Sequence, residues 1–145
     1  MTLRRTRPTR RTSRSTGPTL ETRHLVIARC AGRCERCGRG LRIGDTWTGD
    51  HSIHHRRPRG MGGTTDPTAN TPANLLLLCG SGTTGCHGWV EANRGEATRL
   101  GWLVPRGVDP ATVGVADIWA ARDIHDLVWL SHDGFYTPTP PGERP

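Results

Sequence analysis

The sequence contains no lysine; all twenty of its Lys/Arg positions are arginine. It is also poor in large apolar residues: Leu, Ile, Val and Phe supply 25 of 145 residues, about 17%. Such scarcity together with high net charge leans toward disorder. A large self-sufficient apolar core is therefore excluded, and a folded chain needs some other staple. The longest purely aliphatic run is Leu75–Leu78, far short of the roughly 20 residues that span a bilayer, so no membrane is expected. Residues 1–20 lack the apolar segment of a secretory signal. They are expected to form a disordered Arg-rich arm, because Pro8 and Pro18 break the amphipathic helix that a transit peptide needs. The resulting expectation is a cytoplasmic protein of one domain with tails.

The charge that is present is unevenly placed. Residues 1–60 hold fifteen Arg against four acids, and residues 61–145 hold five against nine. A polyanion should lie along the side built by the first part. Apolar spacing predicts a helix from Glu21 to about Gly32 with Leu25, Ala28, Val26 and Ile27 along its stripe. A tight knuckle, "RCERCGRGL", follows. Two short strands are expected around Gly44–Asp45, with Trp47 and Ile53 facing inward. Residues 59–72 read as loop, Asn74–Cys79 as an apolar element and residues 80–85 as a flexible loop. A helix over His87–Leu100 would be stopped by Gly101. Further on, residues 102–108 look extended and residues 117–122 look like a short helix. Residues 127–137 look like a hairpin turning at Asp133–Gly134.

Five cysteines, an odd number, argue against a disulfide framework in a chain with no secretion signal. Cys34 and Cys37 have C-x-x-C spacing; Cys79 and Cys86 are separated by six residues, three of them Gly. Four thiolates at about 2.3 Å make a closed tetrahedral zinc site, which would be the missing staple. No βαβ pattern surrounds the C-x-x-C, which disfavours a redox site. Cys30 reads as a small core residue.

Two histidine clusters stand out. "SIHHRRPRGMGG" places His54 and His55 beside Arg56, Arg57 and Arg59, whose guanidinium groups suit phosphate oxygens. "GCHGWVEANR" opens a helix with His87 and places Glu91 one turn later on the same face. Imidazole serves both as a metal ligand and as a general base near neutral pH. Tandem histidines can divide those two tasks.

In order, the C-x-x-C, "IHHRRPRGMGG", "NLLLLC" and "CHGWVEANR" resemble the parts of an HNH endonuclease, the ββα-metal or His-Me finger group. The resemblance covers residues 30–95 and is closest to a zinc-stapled branch common in phages and mobile elements. It implies an α+β fold: a small ββα-metal core over residues 21–101 with a structural zinc knuckle. A β-rich extension over 102–136 and a disordered tail over 137–145 would follow. It implies His55 as general base and Asn74 as the brace of the loop that carries it. His54 and His87 would hold the catalytic ion, with Glu91 where several members have another ligand. Cys34, Cys37, Cys79 and Cys86 match the structural zinc ligands. Asp50–His51 imitates the start of the motif, but His54 stands where a proline should follow, so that register is rejected.

The implied chemistry is coherent in itself. Phosphodiester hydrolysis needs an activated water and a cation for the charge that develops on phosphate and leaving group. The cation could be Mg²⁺, Mn²⁺, Ni²⁺ or Zn²⁺, since mixed N/O ligation does not choose among them. Double-stranded DNA is the expected substrate, with Arg56, Arg57 and Arg59 on its backbone. Two other readings stand beside this one. One is a non-catalytic zinc-binding nucleic-acid-binding protein, which would need neither His55 nor His87. The other is a nuclease that works only inside a phage packaging or recombination complex.

Overall fold

The computed structural model describes residues 16–60 and 64–142. Most of the Arg-rich arm, part of the glycine loop at 61–63 and the last three residues of the tail lie outside them. The Thr19 hydroxyl caps α1 (Leu20–Arg29) by accepting from the Thr22 amide. The helix stops at Arg29, before Ala31 and Gly32, which both take positive φ. Its inward side differs from the expected stripe. Val26 and Cys30 are buried, whereas Leu25 and Ala28 face solvent. A buried ion pair sets this rotation: Arg29 lies 2.9 Å from Glu35, and both side chains are almost wholly enclosed. Leu25, one turn before Arg29 on the same side of the helix, stays 38% exposed at the edge of the core.

A hairpin of β1 (Arg42–Ile43) and β2 (Thr46–Trp47) turns at Gly44–Asp45 as expected. Its strands are too short to enclose a face, so Trp47 is not inward. It is 37% exposed, with its ring stacked on His51 at 3.5 Å. A third strand, β3 (His51–His55), leaves the hairpin and pairs antiparallel with β4 (Leu75–Cys79), in register from His51↔Cys79 to His55↔Leu75. A 3-10 turn, Pro72–Asn74, leads into β4. All five residues of β4 are buried, which is why its sequence is continuously apolar instead of alternating. Its outer edge is closed by the cysteine knuckle. The Glu35 amide donates to the Leu77 carbonyl, the Glu35 carboxylate accepts from the Leu77 amide at 2.7 Å, and Arg29 donates to the Leu75 carbonyl.

Residues 80–85 form a tight turn instead of a flexible loop. Ser81 and Thr84 exchange backbone hydrogen bonds, and a Cβ on Gly80 would meet the Thr84 carbonyl oxygen at 2.1 Å. Gly80 and Gly85 both have positive φ, so only glycine fits where the chain doubles back to set Cys86 beside Cys79. The single helix expected over 87–100 is two: α2 (Gly85–Ala92) and α3 (Arg94–Arg99), broken at Asn93 and ended by Gly101 at φ +80. Val90 and Ala97 are buried, with Trp89 and Leu100 packed against the core.

Beyond Gly101, Trp102–Val104 are buried without forming a strand. A three-stranded antiparallel sheet follows, ordered β5 (Val115–Ala116), β6 (Leu127–Leu130), β7 (Tyr136–Thr137). The hairpin at Asp133–Gly134 is its β6–β7 part, and the expected short helix is a 3-10 turn, Trp119–Ala121. One apolar cluster runs from Val26 through β4 to Trp102, Val115, Val128 and Leu130. The fold is α+β, with a ββα unit of β3, β4 and α2 at its centre. No helix among the described residues is long and apolar enough to cross a membrane.

Candidate active site

Two clusters of ligand-type side chains diverge from the start of α2. Cys86 joins Cys34, Cys37 and Cys79, whose sulfurs all lie within 4.8 Å of one another. Cys37 Sγ and Cys79 Sγ are 3.8 Å apart. That matches the edge, about 3.8 Å, of a tetrahedron with metal–sulfur bonds of about 2.3 Å. The Cys86 amide donates to Cys79 Sγ, and Arg36, stacked over Trp89 at 3.8 Å, points an N–H at Cys86 Sγ. Burial pushes the Cys34 thiol up to about 11 and raises Cys86 as well. These sulfurs keep their protons unless a cation replaces them. The donor set fits a structural zinc.

The next residue, His87, joins His54 and Glu91, again with ligand atoms within 4.8 Å of one another. Hydrogen bonds determine which ring nitrogens are free. His54 Nε2 lies 3.1 Å from the Trp102 carbonyl, which only accepts, so Nε2 carries the proton and Nδ1 keeps its lone pair. The Ser52 hydroxyl donates to the Gly80 carbonyl, so its oxygen accepts from His87 Nδ1 at 2.6 Å. His87 Nε2 is thereby left unprotonated. Both lone pairs sit 3.9 Å from Glu91 Oε1, while Glu91 Oε2 is held by Arg94 at 2.6 Å. Burial holds His54 down at about 3 and lowers His87, so both imidazoles stay neutral at ordinary pH. The two imidazoles and one carboxylate fit a divalent ion, each histidine oriented by a second hydrogen bond.

Strand alternation turns His55 to the other face of β3 from Ser52 and His54. His55 Nε2 donates to Asn70 Oδ1 at 2.9 Å; the Asn70 amide group donates in turn to the Thr16 carbonyl, which fixes its orientation. His55 Nδ1 is the nitrogen left to accept a proton. Burial lowers the His55 pKa, against the opposing Asn70 hydrogen bond. Asn74 is fully buried. Its Oδ1 accepts from the Arg57 amide at 2.7 Å, and its Nδ2 donates to the Ala69 carbonyl at 2.8 Å. It thus ties the segment after β3 to the turn that carries Asn70.

The arginines divide. Arg56 is 0% exposed, and its guanidinium donates to the carbonyls of Gly101, Ala73, Pro110 and Val113. Arg57 is buried against the Val108 carbonyl, Asp66 and Thr68. The expectation that these two hold DNA is corrected: their guanidinium donors are turned inward and taken by backbone and side-chain oxygens. Arg59 remains partly exposed, with one donor on the Thr16 carbonyl. Three functional neighbours escaped sequence reasoning. Ser52 shares a strand face with His54, so period-two alternation could have found it. Asn70 and Glu35 come from a turn and a knuckle with no local signal.

Residues 34–87 match the family model of HNH endonucleases. The matched stretch begins at the first clustered cysteine, ends at His87, and contains the whole β3–β4 pair. The match points to the nuclease activity of that family and to a nucleic-acid substrate. No curated protein and no solved structure matches the chain.

Proposed function

We propose that the chain is a metal-dependent endonuclease that hydrolyses DNA phosphodiester bonds, with His55 as general base. The observation that carries this reading is the convergence of His54 Nδ1, His87 Nε2 and the Glu91 carboxylate, with the next residue of β3 after His54 a histidine whose own free nitrogen is fixed by Asn70. A zinc-binding module without catalysis would need the four cysteines alone. In this reading His54, His87 and Glu91 hold one divalent ion, and Cys34, Cys37, Cys79 and Cys86 hold a structural zinc. The bound ion would stabilise negative charge on the scissile phosphate and the departing 3′ oxygen. His55 Nδ1 takes a proton from the attacking water, and Asn70 keeps the imidazole in the tautomer that can do so. Asn74 positions that pair through the backbone. Arg59 is the remaining one of the three clustered arginines able to reach phosphate.

The test is nicking of duplex plasmid DNA over a panel of divalent ions, beside a His55→Ala variant. Metal-dependent nicking that disappears in the variant while DNA binding persists is the expected result. Wild-type protein inactive with every ion would leave the non-catalytic reading.

A further inference from the structure

A cavity of about 520 Å³ opens on the His55 face of β3, between α1 and the β1–β2 hairpin. Its wall combines two chemistries. Arg23, Arg42 and Arg59 bring three guanidinium groups, with His24 and His51 between them and no acidic side chain in the lining. Among the described residues Arg42 has one ion-pair partner, Asp45, and Arg23 and Arg59 have none. Arg42 Nε is the one buried side-chain polar atom among the described residues that lacks a hydrogen-bond partner. A buried orphan donor of this kind is costly unless something accepts from it. Beside Ser52 and His55, the wall also has an apolar part: Leu20, Ile27, Ile53 and the partly exposed ring of Trp47.

A guanidinium cluster beside an apolar wall, in a space of this size, suits one nucleotide and is too small for a duplex. We propose that the groove takes a single unpaired nucleotide of the cleaved strand, next to the scissile phosphate. The phosphate lies against Arg23, Arg42 and Arg59, and the base against Leu20, Ile27 and Trp47. The proposal rests on the nuclease reading for the scissile phosphate beside His55, which lies at the groove's edge. Substrates with an unpaired nucleotide, such as a single strand, a bulge or a flap, are then preferred over perfect duplex. Each base–aromatic contact adds on the order of five- to a hundredfold in affinity and does not depend on sequence.

The experiment compares binding of a fluorescent single strand of about twelve nucleotides with its blunt duplex. It uses the full-length, zinc-replete chain with no other divalent ion added. A variant combining Arg42→Gln with Trp47→Ala should weaken single-strand binding by roughly tenfold or more and leave duplex binding within about twofold. Loss on neither substrate, or equal loss on both, overturns the proposal. Arg23→Gln, on an exposed position of α1, repeats the test without touching the hairpin and guards against misfolding of the double variant. A chain that discriminates in this way but, with divalent ions added, cleaves neither plasmid nor the single strand keeps the groove and loses the nuclease reading. A chain that nicks plasmid without discriminating does the reverse.

Discussion

The two ligand clusters begin at consecutive residues, Cys86 and His87, yet they are built in opposite ways. The cysteine cluster is closed: three of its four members are buried, and an N–H from Arg36 and a backbone amide point at its sulfurs. The histidine cluster is closed on one side only. His54 is 2% exposed, His87 16% and Glu91 35%, so exposure rises toward the carboxylate. A closed, all-sulfur tetrahedron suits a structural ion, whereas an incomplete N/O set with an open side leaves room for a phosphate oxygen. Because α2 starts at the turn of residues 80–85, one element positions both. The scaffold cluster therefore fixes where the open one sits.

The most severe way to break this comparison is to remove the closed cluster. Cys34→Ser combined with Cys37→Ser should abolish bound zinc and the cooperative thermal transition, read by elemental analysis and a circular-dichroism melt. Besides the zinc, the thin apolar core leaves only the Glu35 and Arg29 hydrogen bonds to hold the knuckle against β4. A variant that still melts cooperatively without zinc would show that the Arg29–Glu35 pair and β4 suffice.

Next in size is the effect of removing the proposed general base. His55→Ala should reduce plasmid nicking by about 10²–10⁴-fold while DNA affinity stays within about twofold, because phosphate attraction does not pass through His55. Nicking at the wild-type rate would reassign the base.

A smaller effect sharpens the open cluster. Ser52→Ala removes the acceptor that orients His87 and should raise the divalent ion needed for half-maximal nicking by roughly 10–100-fold. Excess metal should restore much of the rate, which it would not do for His55→Ala. Structural zinc should be unaffected, since Ser52 touches no cysteine ligand.

The smallest effect is a dependence of stability on pH. His54, His55 and His87 all have pKa values lowered in the fold, His54 to about 3. The unfolded chain therefore takes up their protons first. Their contribution to stability is complete above about pH 6.5 and is lost as pH falls toward the folded values. Between about pH 7 and 5.5 the melting temperature should fall by a few degrees, and the fall should be shallower in His54→Leu. An equal slope in the two proteins would mean that His54 is not held neutral by burial.

Much of the site was legible because its residues sit close together in the chain. Cys34 and Cys37, His54 and His55, and Cys86, His87 and Glu91 each lie within a few positions, so strand and helix periodicity limits where they can point. The apolar run Leu75–Leu78 was legible as an apolar element, while its being a strand buried throughout came from the structure. The rotation of α1 was not legible, because periodicity scores Leu25 as apolar and Arg29 as polar. It cannot register that Glu35 and the Pro72 and Leu75 carbonyls make burial of Arg29 favourable.

The arginines show most plainly where local pattern ends. Composition and order alone determined that the chain is basic in its first part, needs a staple, and carries thiol and imidazole ligands at metal-binding spacing. Only the tertiary structure decided which arginines are free to meet an anion. Arg56 and Arg57 stand beside Arg59 in the sequence and look identical to it there. The first two are enclosed by carbonyls from residues 73 and 101–113, supplied by segments far along the chain. Hydrogen-bond satisfaction of buried groups is settled by whatever the fold brings within about 3 Å, and no local window of sequence contains those partners.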